Sequence, residues 1–213
     1  MRLSLQVAAV ATAMVFFFGL PAAYLLATRK FRGREMLDML LTLPLVLPPT
    51  VTGYYLVGLF GRNGLIGSIV DRVTGWSIMF TWQAAVLAAF TVSLPLMIKI
   101  ARASIESVDK NLINASYTLG HSELETALKV VLPLAKKGII AGLVLSFARA
   151  MGEFGATLML AGNIPGRTDT MPLAIYSLAT GGDWGRANMM VLFLTLLSGL
   201  FLYAANRYGG RRI

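Results

Sequence analysis

The chain has 213 residues, 56% of them hydrophobic and only 14% charged, with a formal net charge of +9. Those proportions exclude an ordinary soluble domain and describe an integral membrane protein, for which one membrane domain over 1–213 is the natural count. No cysteine is present, so disulfides and thiolate metal sites are excluded; the basic residues stand beside apolar segments rather than in one patch, which argues for membrane lipid and against nucleic acid as the partner.

Five segments approach the roughly 20 residues needed to cross a bilayer, so an all-α membrane fold with a helical core over about 3–205 is expected. The first, Leu3–Ala27, ends in Arg29 and Lys30 without a small-residue cleavage site, and is read as a retained span, not a signal peptide. The second, Leu37–Phe60, holds Pro44, Pro48 and Pro49 within six residues. Each proline lacks an N–H and clashes with the preceding turn, so a broken helix is expected. Carbonyls freed at membrane depth are tolerated only where protein or water satisfies them, which makes Pro48, Pro49 and Thr50 candidates for a gate beside a translocation cavity. A structural kink is the plainer reading, and the two are compatible. The third span is Ile78–Ile100.

A polar loop over about 103–133 follows and reads as two short amphipathic helices. Val108, Leu112, Ala115 and Leu119 recur on one helical face, with Asp109, Lys110 and Asn114 elsewhere. Gly120 ends that helix. Ser122 with Glu125 forms a capping-box pattern that starts a second helix along Leu124, Ala127, Leu128 and Val131, limited by Pro133. Its one histidine, His121, lacks partners at ligand spacing and reads as a solvated loop residue, so no metal site is expected.

The fourth span, Gly138–Ala161, carries Arg149 about 16 Å from its start, close to the bilayer centre, and Glu153 four residues on. Ionisable groups at that depth are functional candidates; a structural pair locking this helix to a neighbour is the alternative, and Arg before Glu is the less favourable order for a helical pair. Gly138 and Gly142, then Gly152 and Gly155, offer close backbone approach. The segment Met171–Ala179 is too short to cross and reads as re-entrant, interfacial, or bent onto the last span, Ala187–Ala205. Asp183 and Trp184 read as an interface anchor.

Orientation follows from the basic residues. Arg29, Lys30, Arg32, Arg34, then Lys99, Arg102, Lys110, Lys129, Lys136, Lys137, then Arg207, Arg211 and Arg212 share one side; Arg2, Arg62, Arg72, Arg167 and Arg186 share the other. The richer side is cytoplasmic by the positive-inside rule. Five crossings then put the N-terminus outside and the C-terminus in the cytoplasm, with the polar loop inside the cell.

Asn114, Ala115, Ser116, Gly120, Val130, Leu132 and Pro133 resemble the E-A-A-x3-G-x9-I-x-L-P loop of ATP-binding-cassette importer permeases, with Asn114 in place of Glu and Ser116 in place of the second Ala. The run LPLVLPPTVTGYYL at 43–56 and GEFGATLM at 152–159, with the external loop that follows, resemble the molybdate permeases of that family. The resemblance spans about Leu3 to Ala205. It implies a type I importer permease fold with five transmembrane helices plus cytoplasmic coupling helices, and a coupling loop, through Asn114, Ala115, Ser116, Leu119, Gly120, Leu132 and Pro133, that docks on a cytoplasmic ATPase. The same periodicity also allows a helix lying on lipid headgroups.

The resemblance further implies a second copy of the permease, two cytoplasmic ATP-binding subunits and an external oxyanion-binding protein in the inner membrane. No G-x-x-x-x-G-K-[ST] loop is present, so ATP and magnesium belong to the partner ATPase and this chain is a transport subunit, not an enzyme, with no cofactor of its own. For such an importer Arg149 would lower the barrier for an anion and Glu153 would prevent its capture. Tungstate and sulfate are the alternative cargoes, and the chain is expected to lack a C-terminal regulatory domain. An ATP-independent secondary transporter is the reading from another class; the absence of an evident inverted repeat speaks against it.

Overall fold

A computed structural model describes residues 1–208; Arg211 and Arg212 of the basic set lie outside the described residues. The elements are α1 (Arg2–Thr28), α2 (Arg34–Val46), α3 (Pro49–Phe60), α4 (Gly67–Thr74), α5 (Trp82–Glu106), α6 (Lys110–Thr118), α7 (Glu123–Thr126), a π-helical turn (Ala127–Val131), α8 (Leu132–Met151), α9 (Gly155–Ala161), α10 (Met171–Thr180) and α11 (Trp184–Tyr208). The bundle is built around α5. Ala84, Ala85, Ala88 and Ala89 are fully buried, and without bulk at those positions α1, α8 and α9 pack directly on it, while α2 lies against the part of α5 that carries Lys99 and Arg102.

Helix α8 runs antiparallel to α5 along a ladder of small residues. A Cβ added at Gly138 would lie 1.6 Å from Ser104 Oγ and 2.6 Å from Ser104 Cβ, and one at Gly142 would meet Met97 and Ile100. Ser146 Oγ donates to the Ser93 carbonyl at 3.3 Å. Gly138→Ala is therefore expected to cost about 1–3 kcal/mol through overpacking, net of the roughly 1 kcal/mol that alanine gains in helix propensity. Ser104→Gly in the same chain should recover most of that loss; unchanged thermal unfolding of the single variant would contradict the contact.

Among the described residues four helical stretches are long and apolar enough to cross a membrane, and α2 with α3 make a bent pair at 118°. The break expected in the second span is thus a sharp turn. Leu47 (ψ 142°) and Pro48 (ψ 138°) are both extended because each precedes a proline, which disfavours the helical region. Pro44, by contrast, stays inside α2. The pair still travels the length of α5: Asp38 meets Lys99 and Arg102 near one end, while a Cβ at Gly61 would lie 3.5 Å from Met79 Sδ, just before the other end.

Two further spans differ from expectation. The third begins at Trp82, where Thr81 Oγ1 accepts from the Ala84 amide at 3.2 Å, and continues to Glu106 rather than Ile100. In the fourth, helical backbone is unbroken from Glu123 to Met151 and then stops before α9. Pro133 does not limit the second short helix. The preceding π turn, in which the Leu132 amide donates to the Ala127 carbonyl, widens the backbone where a proline ring would otherwise strike the preceding carbonyl. Arg149 lies one turn past Ser146, which is level with Ser93 at the middle of α5.

Helix α10 is separate from α11, divided from it by Gly181 and by Gly182 at φ +82°. Its first amide, Met171 N, donates to Ser4 Oγ at 2.7 Å, so it starts beside the first turn of α1. Residues Leu194 and Leu197 pack on the cluster that contains Val7 and Ala84, and α11 then reaches Phe201 against Phe147 of α8. The final helix therefore runs toward the end of the bundle that carries α6 and α7.

Candidate functional site

Two features occupy the positions singled out by sequence. The first is the α6–α7 hairpin. Asp109 caps α6, accepting from the Asn111 amide at 2.9 Å; Gly120 at φ +83° turns the chain, and His121 N donates to the Ser116 carbonyl at 3.2 Å. A positive φ of that kind favours glycine. Ser122 and Glu125 form the expected capping box, with Glu125 N donating to Ser122 Oγ at 3.3 Å and Ser122 N to Glu125 Oε2 at 3.0 Å.

The hairpin's interior was not legible in the sequence. Ser116 is buried, its Oγ 2.9 Å from Thr126 Oγ1 and 3.3 Å from His121 Nδ1. These hydroxyls staple α6 to α7, so the serine at 116 has a structural use, and His121 is half-buried beside it instead of solvated. Ser116→Ala would leave the buried Thr126 hydroxyl without this partner, at a cost of about 1–2 kcal/mol. Amide exchange across 114–126 is expected to quicken about tenfold in that variant; unchanged exchange would show the staple to be idle.

The predicted apolar face of α6 also turns the other way. Val108 is buried, but Leu112 is 48% and Leu119 79% exposed, with Asn114, Ala115, Gly120 and Pro133 on the surface as well. Ile113 and Ser116 face inward in their place. On the second arm Ala127 and Val131 are buried, while Leu124 and Leu128 border a groove with Leu20 and Leu25 of α1. Leu132 is half-buried on the cluster around Val131 and Ala135.

The second feature is the junction of the broken helices. Arg149 Nη1 donates to Glu153 Oε2 at 2.9 Å, with the arginine side chain 31% and the glutamate 2% exposed. Glu153 Oε1 also accepts from the Ala156 amide at 2.8 Å. The helical-pair order rule does not apply, because the two residues lie on either side of the break at Gly152–Phe154. Arg149 sits in the last turn of α8 and Glu153 precedes α9, so each charge suits the helix end it faces.

Helices α3 and α9 start side by side. A Cβ on Gly155 would be 2.8 Å from Pro49 Cβ and 3.3 Å from Thr50 N; one on Gly53 would be 2.8 Å from Met159 Cβ and 3.0 Å from Ala156 Cα. Pro48, Pro49 and Thr50 are exposed at this junction. Gly152 makes no such close approach and serves only to end α8.

Sequence reasoning used the basic residues for orientation and missed their partners. Asp38 is bonded by Lys99 Nζ and Arg102 Nη1, each at 3.0 Å, and Glu106 by Arg102 Nε at 2.8 Å and Arg34 Nη2 at 3.2 Å. Arg29 pairs with Glu123 across the end of α1. The few acidic residues among the basic ones were the available signal. Among the described residues no group of His, Cys, Asp and Glu is arranged to hold a metal.

Residues 17–213 match the family described as binding-protein-dependent transport system inner membrane component. The chain is 43% identical over 196 residues to the molybdenum transport system permease protein ModB of Escherichia coli (strain K12), covering 91% of this chain and 86% of that one. It is 41% identical over 198 residues to ModB of Haemophilus influenzae, covering 92% and 86%. Among solved structures, an inward-facing form of the MetNI methionine ABC transporter superposes with a TM-score of 0.76 at 18% identity, covering 98% of this chain and 92% of that one.

Proposed function

Because the chain belongs to the family of binding-protein-dependent transport system inner membrane components, we propose that it forms the membrane pathway of an ATP-driven molybdate importer and is moved by a separate ATPase through the hairpin at 114–133. The observation that carries this reading is mechanical. The hairpin exposes Leu112 and Leu119 yet is stapled internally by Ser116 and Thr126, and it continues into helix up to Met151 without a flexible link.

A push on such a knob travels along α8 to the break, where Glu153 holds both Arg149 and the first turn of α9. Helix α9 leans on α3 through Gly155 and Gly53, so the displacement arrives at Pro48–Thr50. Closure of two ATPases around ATP and magnesium would draw two hairpins together and open the pathway outward, with hydrolysis resetting it. Two copies of this chain, two ATPases and an external oxyanion-binding protein make up the working unit. The N-terminus lies outside and the hairpin in the cytoplasm, where the positive-inside rule puts the basic residues. Arg149 offers a partly exposed positive charge to the passing oxyanion, and Glu153 keeps the ion from being retained.

Proteoliposomes containing this chain, its ATPase and its binding protein are expected to accumulate molybdate only with ATP and the binding protein present, with tungstate and sulfate as competitors. Proton-driven uptake by this polypeptide alone would overturn the reading. Arg149→Gln at equal expression should slow uptake on the order of tenfold or more, the worth of one charged hydrogen bond; full activity would remove Arg149 from the pathway.

A further inference from the structure

At the end of the bundle that carries the hairpin, a cleft of about 640 Å³ lies between the end of α1, the end of α5 and α6. Its floor is formed by Ile105, Val108, Ile113 and Val131, with the phenol rings of Tyr24 and Tyr117 beside them. Its rim carries four cations, Arg29, Lys30, Arg34 and Lys110, against two carboxylates, Glu106 and Glu123. The carboxylates are taken: Glu123 by Arg29 and Glu106 by Arg34 and Arg102. Among the described residues Lys30 and Lys110 are in no ion pair, so the rim is left with two uncommitted ammonium groups. Arg34, which bonds Glu106 through Nη2, also lines the cleft, and both Arg34 and Lys30 line the adjoining cleft of about 480 Å³.

From this arrangement we infer that the cleft binds a phosphate group carried on an apolar chain, that is, the headgroup and upper acyl region of an anionic phospholipid. Cationic rims beside helix ends attract anionic headgroups, and hydrogen bonds from ammonium groups such as those of Lys30 and Lys110 to phosphate oxygens are charge-assisted. Free phosphate offers the same oxygens but leaves the apolar floor uncovered. The location has a mechanical consequence. Lys30 follows α1 and Lys110 opens α6, so one headgroup between them would clamp the hairpin to α1 in addition to the Arg29–Glu123 pair.

The test is thermal shift and native mass spectrometry on the purified full chain in neutral detergent, titrated with short-chain phosphatidylglycerol, the matching phosphatidylcholine, and inorganic phosphate. Phosphatidylglycerol is expected to bind and raise the melting temperature, with phosphatidylcholine at least tenfold weaker. Lys30→Gln with Lys110→Gln should weaken phosphatidylglycerol tenfold or more, while Lys136→Gln with Lys137→Gln, which removes the same charge outside the cleft, should not. Phosphate that stabilises as well as the lipid would assign the site to the free ion; phosphate without effect assigns it to lipid. Equal affinity for the two lipids, read on the unsubstituted protein and so independent of any variant's folding, overturns the inference, as does unweakened binding by the folded Lys30/Lys110 variant.

Discussion

Leu119→Asp is expected to weaken docking of the ATPase on the order of thirtyfold and to reduce ATP-driven uptake in step, without lowering the stability of the permease itself. Leu119 is 79% exposed, and its substitution removes almost no internal packing, so thermal unfolding should stay within about 0.5 kcal/mol of wild type. Burying a leucine against a partner stabilises by about 1.5–3 kcal/mol, and roughly 1.4 kcal/mol is a factor of ten in affinity. An aspartate forfeits that gain and also resists burial. Affinity for the isolated ATPase, measured beside uptake, separates the alternatives. Wild-type affinity would mean that this face of α6 meets lipid headgroups and that another surface couples the subunits.

Glu153→Leu should be the most damaging single change at the helix break. The glutamate is almost fully buried and holds two groups at once, Arg149 Nη1 and the Ala156 amide. Removing one partner of a buried pair costs about 3–5 kcal/mol; with the Arg149 side chain 31% exposed, water offsets part of this and the lower end is expected. Glu153→Gln keeps an oxygen for Ala156 and should cost about 1–2 kcal/mol. The double variant Arg149→Leu, Glu153→Leu should regain much of the lost stability, since an apolar pair often replaces a buried ion pair without loss. Uptake then decides the role: a stable double variant that transports normally would reduce the pair to a structural clip, whereas a stable one without uptake supports a role in passing the anion.

Most of what was legible in the sequence is short-range. Apolar length marked the membrane spans, Leu47-Pro48-Pro49 marked the break by the sterics of residues that precede proline, and Ser122 with Glu125 marked the start of α7. The Gly120 turn belongs with these. Each depends on a handful of neighbours along the chain, so the residues themselves suffice to state it. The family pattern added the hairpin's register, because a spacing of residues survives when individual ones change.

Other features required the chain to be folded. Periodicity grouped Leu112, Ala115 and Leu119 on one face but could not say whether that face turns in or out; the answer came from Ser116, whose partner Thr126 lies on the opposite arm. The beginning of α8 was misplaced because a π turn makes room for Pro133, and a turn of that kind has no strong local signature. Asp38 found Lys99 and Arg102, and Gly155 found Pro49, across separations of roughly sixty to a hundred residues. Hydrophobicity and backbone sterics act along the chain and were determined by the sequence alone, whereas the pairing of charges and the fit of one glycine against one proline depend on which helices become neighbours, and only the tertiary structure decided that.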